Sequence, residues 1–269
     1  MWVCYGYSMA TRWTPCEEKF YTDELQKLYV SENRTISDIS SILKISPSAV
    51  YDRLVKLKIP TAPEKKAHYL NKRSDIIIPT RYSDTLAEFF GIMLGDGKLS
   101  HFQIAVTLGN KEVTYAVYVA KLFHKIFGVD PKIITNAKKG YRVVYLGSTE
   151  ISAWLITKGL VYNKVAAQVD APHWILSKKR YMKRFVRGFF DTDGSIYKLK
   201  HGTQLSFTNY SVPLLVSLQW ALRRLGYRVS EISGHRFYIT KIDDIKRFFR
   251  EIQPRNQRHI KRFDLFVNL

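Results

Sequence analysis

Two aspartates stand directly before glycines in similar apolar settings, Asp96 in "FFGIMLGDG" (89–97) and Asp193 in "VRGFFDTDG" (186–194), and Asp191 lies two residues ahead of the second. Carboxylates at the ends of apolar stretches are oxygen donors for a hard divalent cation, and a cation held by few protein ligands keeps water and phosphate oxygens as the rest of its shell. If the two stretches are helices, each aspartate also sits at a negative dipole end, which disfavours it by up to ~1 kcal/mol. Brought together, the pair demands a positive counterweight, and Mg²⁺ fits. Two other readings of "DTDG" fit less well. A calcium loop needs its glycine at the sixth position with a ligand at the fifth, whereas here glycine is fourth. A hairpin turn would be flanked by alternating strands, not by the end of an apolar run.

The elements that position these acids repeat. Gly91 aligns with Gly188, Asp96 with Asp193 and Gly97 with Gly194, all 97 residues apart. Downstream, "FQIAVT" (102–107) answers "TQLSFT" (203–208), each alternating polar and apolar as strands do. "YVAKLFHKIFGV" answers "SLQWALRRLGYRV", amphipathic helices ended by glycine, and "YRVVYLGSTEISAWL" answers "HRFYITKIDDIKRFF", a strand then a helix. So long a repeat predicts a pseudo-twofold α+β pair of αββαββα half-domains, residues 85–175 and 176–269, and not a solenoid. Small residues four apart, Gly91 with Gly95 and Gly188 with Thr192, allow the two motif helices to approach closely. Phe89, Phe90, Ile92, Met93, Phe189 and Phe190 would fill the two cores, and Gly97 and Gly194 suit left-handed helix ends.

Ahead of the repeat, residues 12–60 predict a small three-helix domain. Thr14, Pro15 and Glu17 form a capping-box start, Ile36, Ile39 and Leu43 line one face of a second helix, and Ser46 with Pro47 opens a third whose buried side is Val50, Leu54 and Leu57. Two short helices around a tight turn resemble the homeodomain-like and resolvase-like helix-turn-helix families. That resemblance implies DNA contacts from Ser48, Tyr51 and Asp52 on the third helix; docking to protein is the other reading. Residues 61–84, with Lys65, Lys66, Lys72 and Arg73, predict a basic linker, either tracking phosphates or simply solvated.

Lys and Arg number 43 against 23 Asp and Glu, a net charge of +20, so the field favours a polyanion, nucleic acid first. Two cysteines are too few for a disulfide scaffold or an all-Cys zinc site. The lack of any apolar run near ~20 residues argues against membrane insertion, and we expect a cytoplasmic, nucleoid-associated protein.

Both motif stretches resemble the LAGLIDADG motif, and the chain from about residue 85 onward resembles two-motif, monomeric homing endonucleases. The resemblance implies a saddle whose two antiparallel sheets lie in the DNA major groove, with cleavage at its centre leaving short 3′ overhangs. It makes Asp96 and Asp193 the metal ligands, with the preceding Gly95 and Thr192 beside them, and Mg²⁺ (or Mn²⁺ as a substitute) the cofactor. Asp191, a leucine (Leu94) in the first copy, becomes structural. Family members carry a lysine near the end of each half. Lys164 and Lys261 keep the 97-residue offset, with Lys241 and His259 as fallbacks. A water-positioning amide is Asn209 in the second copy, where the first has Leu108, or Asn110 in its place, so the two DNA strands would be cut unequally. On the strands, Gln103, Ala105 and Thr107, and Gln204, Ser206 and Thr208, are expected on the open face reading base edges, with Phe102, Ile104, Val106, Leu205 and Phe207 buried. The expected function is site-specific cleavage of double-stranded DNA by a monomer; the alternative is an inactive transcription regulator or intron maturase on the same fold.

Overall fold

A computed structural model of the protein describes residues 14–32, 34–59, 73, 75–200 and 202–267. The chain divides into two compact units, Met1–Leu70 and Asn71–Leu269.

In the first unit, α1 (Pro15–Leu25) runs into a π-helical turn (Gln26–Ser31), followed by α2 (Ile36–Leu43) and α3 (Pro47–Lys56). The Thr14–Glu17 capping box forms, and a second one, Thr35–Asp38, opens α2. Lys44 takes a left-handed conformation at the end of α2, and the Ser46 hydroxyl accepts from Ala49 N to start α3. The core is Leu25, Leu28, Tyr29, Ile39, Val50 and Leu54, with Ile36, Leu43 and Leu57 packed against it. Ser48, Tyr51 and Asp52 are exposed on α3. Lys65, Lys66 and Lys72 lie outside the described residues. Arg73 pairs with Asp75 at 2.7 Å.

The second unit begins earlier than the sequence suggests. Ile77 N donates to Phe127 O at 2.8 Å, Ile76 and Ile78 pack on the main core, and the Tyr82 ring stacks on Trp174 at 4.3 Å. Apolar side chains in this part of the expected linker are therefore committed to the fold. The first half-domain runs α4 (Asp84–Leu94), β1 (Gly97–Leu99), β2 (Gln103–Gly109), α5 (Val113–Phe127), β3 (Lys132–Asn136), β4 (Tyr141–Gly147) and α6 (Thr149–Thr157). A short α7 (His173–Leu176) leads to the second half: α8 (Lys179–Asp193), β5 (Gly194–Leu199), β6 (Gly202–Thr208), α9 (Val212–Arg224), β7 (Arg236–Ile239), α10 (Ile242–Glu251) and α11 (Gln257–Val267). Both sheets are antiparallel, ordered β1-β2-β4-β3 and β5-β6-β7.

The second sheet lacks a counterpart of β3. In its place Ser230 and Ser233 close on β7: Ser230 N donates to Tyr238 O at 2.9 Å while its hydroxyl accepts from Tyr238 N at 3.0 Å, and Ser233 N donates to Arg236 O at 2.9 Å. The repeat consequently drifts in register. The offset is 97 at the motifs but 101 at the second strand, where Val106 and Phe207 face Gly97 and Gly194. It falls to 93 at the strand before α6 and α10, where Val144 pairs with Val106 and Phe237 with Phe207.

Between the halves, α4 and α8 touch backbone to backbone. A Cβ on Gly91 would stand 2.2 Å from Phe185 O, and one on Gly188 2.1 Å from Glu88 O. Beside this crossing, Glu88 and Arg187, both buried, form an ion pair that Tyr118 completes by donating its hydroxyl to Glu88. Gly97 and Gly194 are glycines for a different reason than helix ending. Neither is left-handed, and Gly194 is extended at φ −83°. A Cβ on Gly97 would meet Met93 Cα at 2.4 Å, and one on Gly194 would meet Phe190 O at 2.4 Å, because the strand doubles back over the last helical turn.

Candidate active site

Leu94 ends α4, Gly95 follows it, and Asp96 leads into β1; Asp193 is the last residue of α8 and runs straight into β5. The crossing at Gly91 and Gly188 continues to this level, where a Cβ on Gly95 would stand 2.0 Å from Thr192 Oγ1 and 3.5 Å from Asp193 Cγ. The two half-domains thus deliver their acids to one place. Burial first, then Asp193 and Glu112, push the Asp96 carboxyl up to about 7, against the pull of Lys164 and Arg258. Asp193 is also raised by burial, opposed by a 2.9 Å hydrogen bond from Asn209 Nδ2 and by the same two cations. Asn209 is itself fixed, its Oδ1 accepting from Ser211 N at 2.9 Å, so in this structure it orients the carboxylate.

The positive counterweight is supplied by the protein. Lys164 Nζ donates to Met93 O at 3.0 Å, to Leu94 O at 3.2 Å and to Gly95 O, so one ammonium satisfies the open carbonyls at the end of α4. Burial lowers its pKa, while Asp193 and Asp96 raise it. In the second half the equivalent carbonyl, Thr192 O, receives Arg258 Nη2 at 3.1 Å. Arg258, and not Lys261, is therefore the partner of Lys164. Lys261 is exposed one turn further along α11, because an offset of 97 overshoots a repeat that has already lost residues in its last hairpin. The signal was present in the sequence: aligning "YRVVYLGSTEISAWL" with "HRFYITKIDDIKRFF" gives an offset of 94, which carries Lys164 onto Arg258. Of the fallbacks, Lys241 precedes α10, and His259 is fully buried 4.6 Å from the Phe190 ring with its pKa pushed down to about 3 by burial and Arg258.

Three further residues build the site: Asp191, which lies in the second motif, and Asn256 and Glu112, which no motif announces. Asp191, fully buried, accepts from Arg255 N and Asn256 N at 2.9–3.0 Å and so pins the start of α11, which carries Arg258. Asn256 Nδ2 donates to Asp191 O at 2.9 Å and to Glu112 Oε1 at 2.6 Å. Glu112 also accepts from Gly109 N at 2.6 Å and lies 3.6 Å from Arg258.

The donor set suits a hard cation. Among the described residues no group of three His, Cys, Asp or Glu side chains occurs, so a metal here would rest on Asp96 and Asp193, completed by water and substrate oxygens, the usual habit of Mg²⁺. The backbone oxygens of Gly95 and Thr192 already accept from Lys164 and Arg258.

The strand faces differ. On β2, Gln103 and Ala105 are half-buried and Thr107 exposed, while Phe102, expected inside, is 40 % exposed just ahead of the strand. On β6, Gln204 and Ser206 are buried and Thr208 half-buried. Tyr197 pairs with Gln204 and Tyr238 with Ser206, and the two tyrosines hydrogen-bond to each other, closing a roof over the central strand. The polar groups left accessible on that face are the tyrosines, the half-buried Ser195 and Thr208, and the exposed Arg236.

Residues 180–253 match the LAGLIDADG-like domain family. The replication factor C small subunit of Methanocaldococcus jannaschii is 26 % identical over 213 residues, 76 % of this chain but 11 % of that protein, so the chain spans about a tenth of its length. Among solved structures, full-length DUF199/WhiA from Thermatoga maritima is similar at TM-score 0.48 and 17 % identity, covering 71 % of this chain and 62 % of that one. The homing endonuclease I-DmoI, solved with DNA and Mn, is similar at TM-score 0.45 and 16 % identity over 63 % of this chain and 96 % of that one. The family match therefore places a LAGLIDADG-like domain in the second half-domain of the chain, at residues 180–253.

Proposed function

We propose that the protein is a metal-dependent endonuclease that cuts both strands of duplex DNA at a long recognition site, acting as a single chain with its two half-domains as the two active sites. The observation that carries this reading is the convergence of Asp96 and Asp193 at a backbone crossing in which each motif end has its own cation, Lys164 or Arg258. Small residues at the crossing keep the acids close enough to share charge, and the net charge of +20 supports a polyanionic substrate. A divalent cation bound there would neutralise the scissile phosphate and supply a nucleophilic water at neutral pH.

The chain's own residues do the rest. Asp96 and Asp193 are the ligands, and Asn209 holds the Asp193 rotamer. Lys164 and Arg258 present positive charge where negative charge develops on the phosphate and its leaving oxygen. Among the described residues, of the two motif acids only Asp193 carries a side-chain amide hydrogen bond, so the two strands are expected to be cut at different rates. The exposed face of α3, with Ser48, Tyr51 and Asp52, serves as a second DNA contact beside Gln103 and Thr107, in the manner of helix-turn-helix recognition.

Binding without cutting is the second reading, favoured by one observation: Lys164 and Arg258 already balance the carbonyl ends without a metal. The deciding experiment is a cleavage screen of a randomised duplex library with Mg²⁺, run beside a gel shift. Cutting that disappears in Asp193→Asn supports the endonuclease; shifted but intact DNA gives the protein to the second reading.

A further inference from the structure

Beyond the two acids, a cavity of about 340 Å³ opens between the start of α5 and the start of α11. Its wall carries Lys111, Arg258, Lys261 and Arg262 against one carboxylate, Glu112. That carboxylate is already engaged by Gly109 N, Asn256 Nδ2 and Arg258, so little of its charge is left to repel an anion. α5 begins with no side-chain cap, which leaves the N–H groups of its first turn pointing out of a positive dipole end. Arg258 reaches the same wall from α11, and among the described residues its buried Nε has no hydrogen-bond partner. Four cations and an open helix end facing one engaged carboxylate make the cavity a place for an anion.

We propose that this cavity binds a phosphate group, held by Lys111, Lys261 and Arg262 and the open end of α5. The site rests on the reading of the protein as a DNA binder and places a non-reacting backbone phosphate beside the cut. A free phosphate-bearing ligand is the other source of the same chemistry. Holding one phosphate at Arg258 would also fix the register in which the scissile bond meets Asp96 and Asp193.

The test uses the full chain. Inorganic phosphate is titrated calorimetrically onto the unaltered protein and Lys111→Gln/Arg262→Gln, and duplex binding is measured across a salt series. The double variant should weaken phosphate by at least ~10-fold while keeping the melting temperature of the unaltered protein, since both side chains are exposed. A DNA-borne phosphate also makes the double variant's slope of log K against log salt shallower by about one to two. Lost phosphate binding with an unchanged slope assigns the site to a free ligand. No phosphate binding in the unaltered protein, together with an unchanged slope in the double variant, would overturn the proposal. Protein that binds phosphate but leaves every duplex intact would instead sink the endonuclease reading and leave this one standing.

Discussion

Arg258 donates from Nη2 to Thr192 O as Lys164 donates from Nζ to Gly95 O, so the two half-domains solve the same electrostatic problem with different cations. Arg258→Ala should therefore slow single-turnover cleavage by about 10²-fold or more, on the scale of removing one preorganised charge-stabilising donor. Lys261→Ala should change it several-fold at most. Equal losses in both, measured on a matched duplex substrate, would return the role to Lys261.

Asp96→Asn and Asp193→Asn should each remove metal-dependent cutting while DNA still shifts in a gel, because each deletes one of only two carboxylate ligands. Asn209→Ala should preferentially slow the strand served by Asp193, read as a change in the ratio of the two nicked products. An unchanged ratio would mean the hydrogen bond to Asp193 has no role in its reactivity.

The stability of the metal-free protein should fall as pH rises. The Asp96 and Asp191 carboxyls are raised from 3.8 to about 7, chiefly by burial. With native pKa values above the unfolded ones, the folded state binds more protons between about pH 4 and 7. Their unfavourable contribution is absent below about pH 4, grows through that window and is complete above about pH 7. Thermal unfolding in a chelator should show a lower melting temperature at pH 8 than at pH 5.5, and Asp96→Asn should reduce the difference. Mg²⁺ should stabilise more at pH 8, where the carboxylates are free of protons.

Gly188→Ala places a methyl group 2.1 Å from Glu88 O, a backbone atom that cannot swing aside. The helices must separate, and a loss of about 3 kcal/mol or more is expected in urea unfolding. A near-neutral result would show that α4 and α8 do not cross here.

Glu88→Gln leaves Arg187 charged and buried at the same crossing, at an expected cost of about 3–5 kcal/mol. Replacing both partners with Met should recover much of that loss, which a double-mutant cycle would measure.

The sequence by itself determined the pseudo-twofold α+β class, the caps at Thr14 and Ser46 and the place of Asp96 and Asp193 at the two motif ends, because strand alternation, helical period and a repeated motif are local patterns that survive without neighbours. Asp191 was separable from Asp193 for the same reason: its counterpart is Leu94. Only the tertiary structure decided which cation answers Lys164. The repeat lost a strand beside β7, its offset slid from 97 to 94, and a carbonyl selects the side chain that reaches it whatever the count of residues between. It also decided that Gln204 and Ser206 lie under a tyrosine roof and that residues ahead of α4 join the core. Burial is a property of what packs on top of a residue, and those partners come from elsewhere in the chain.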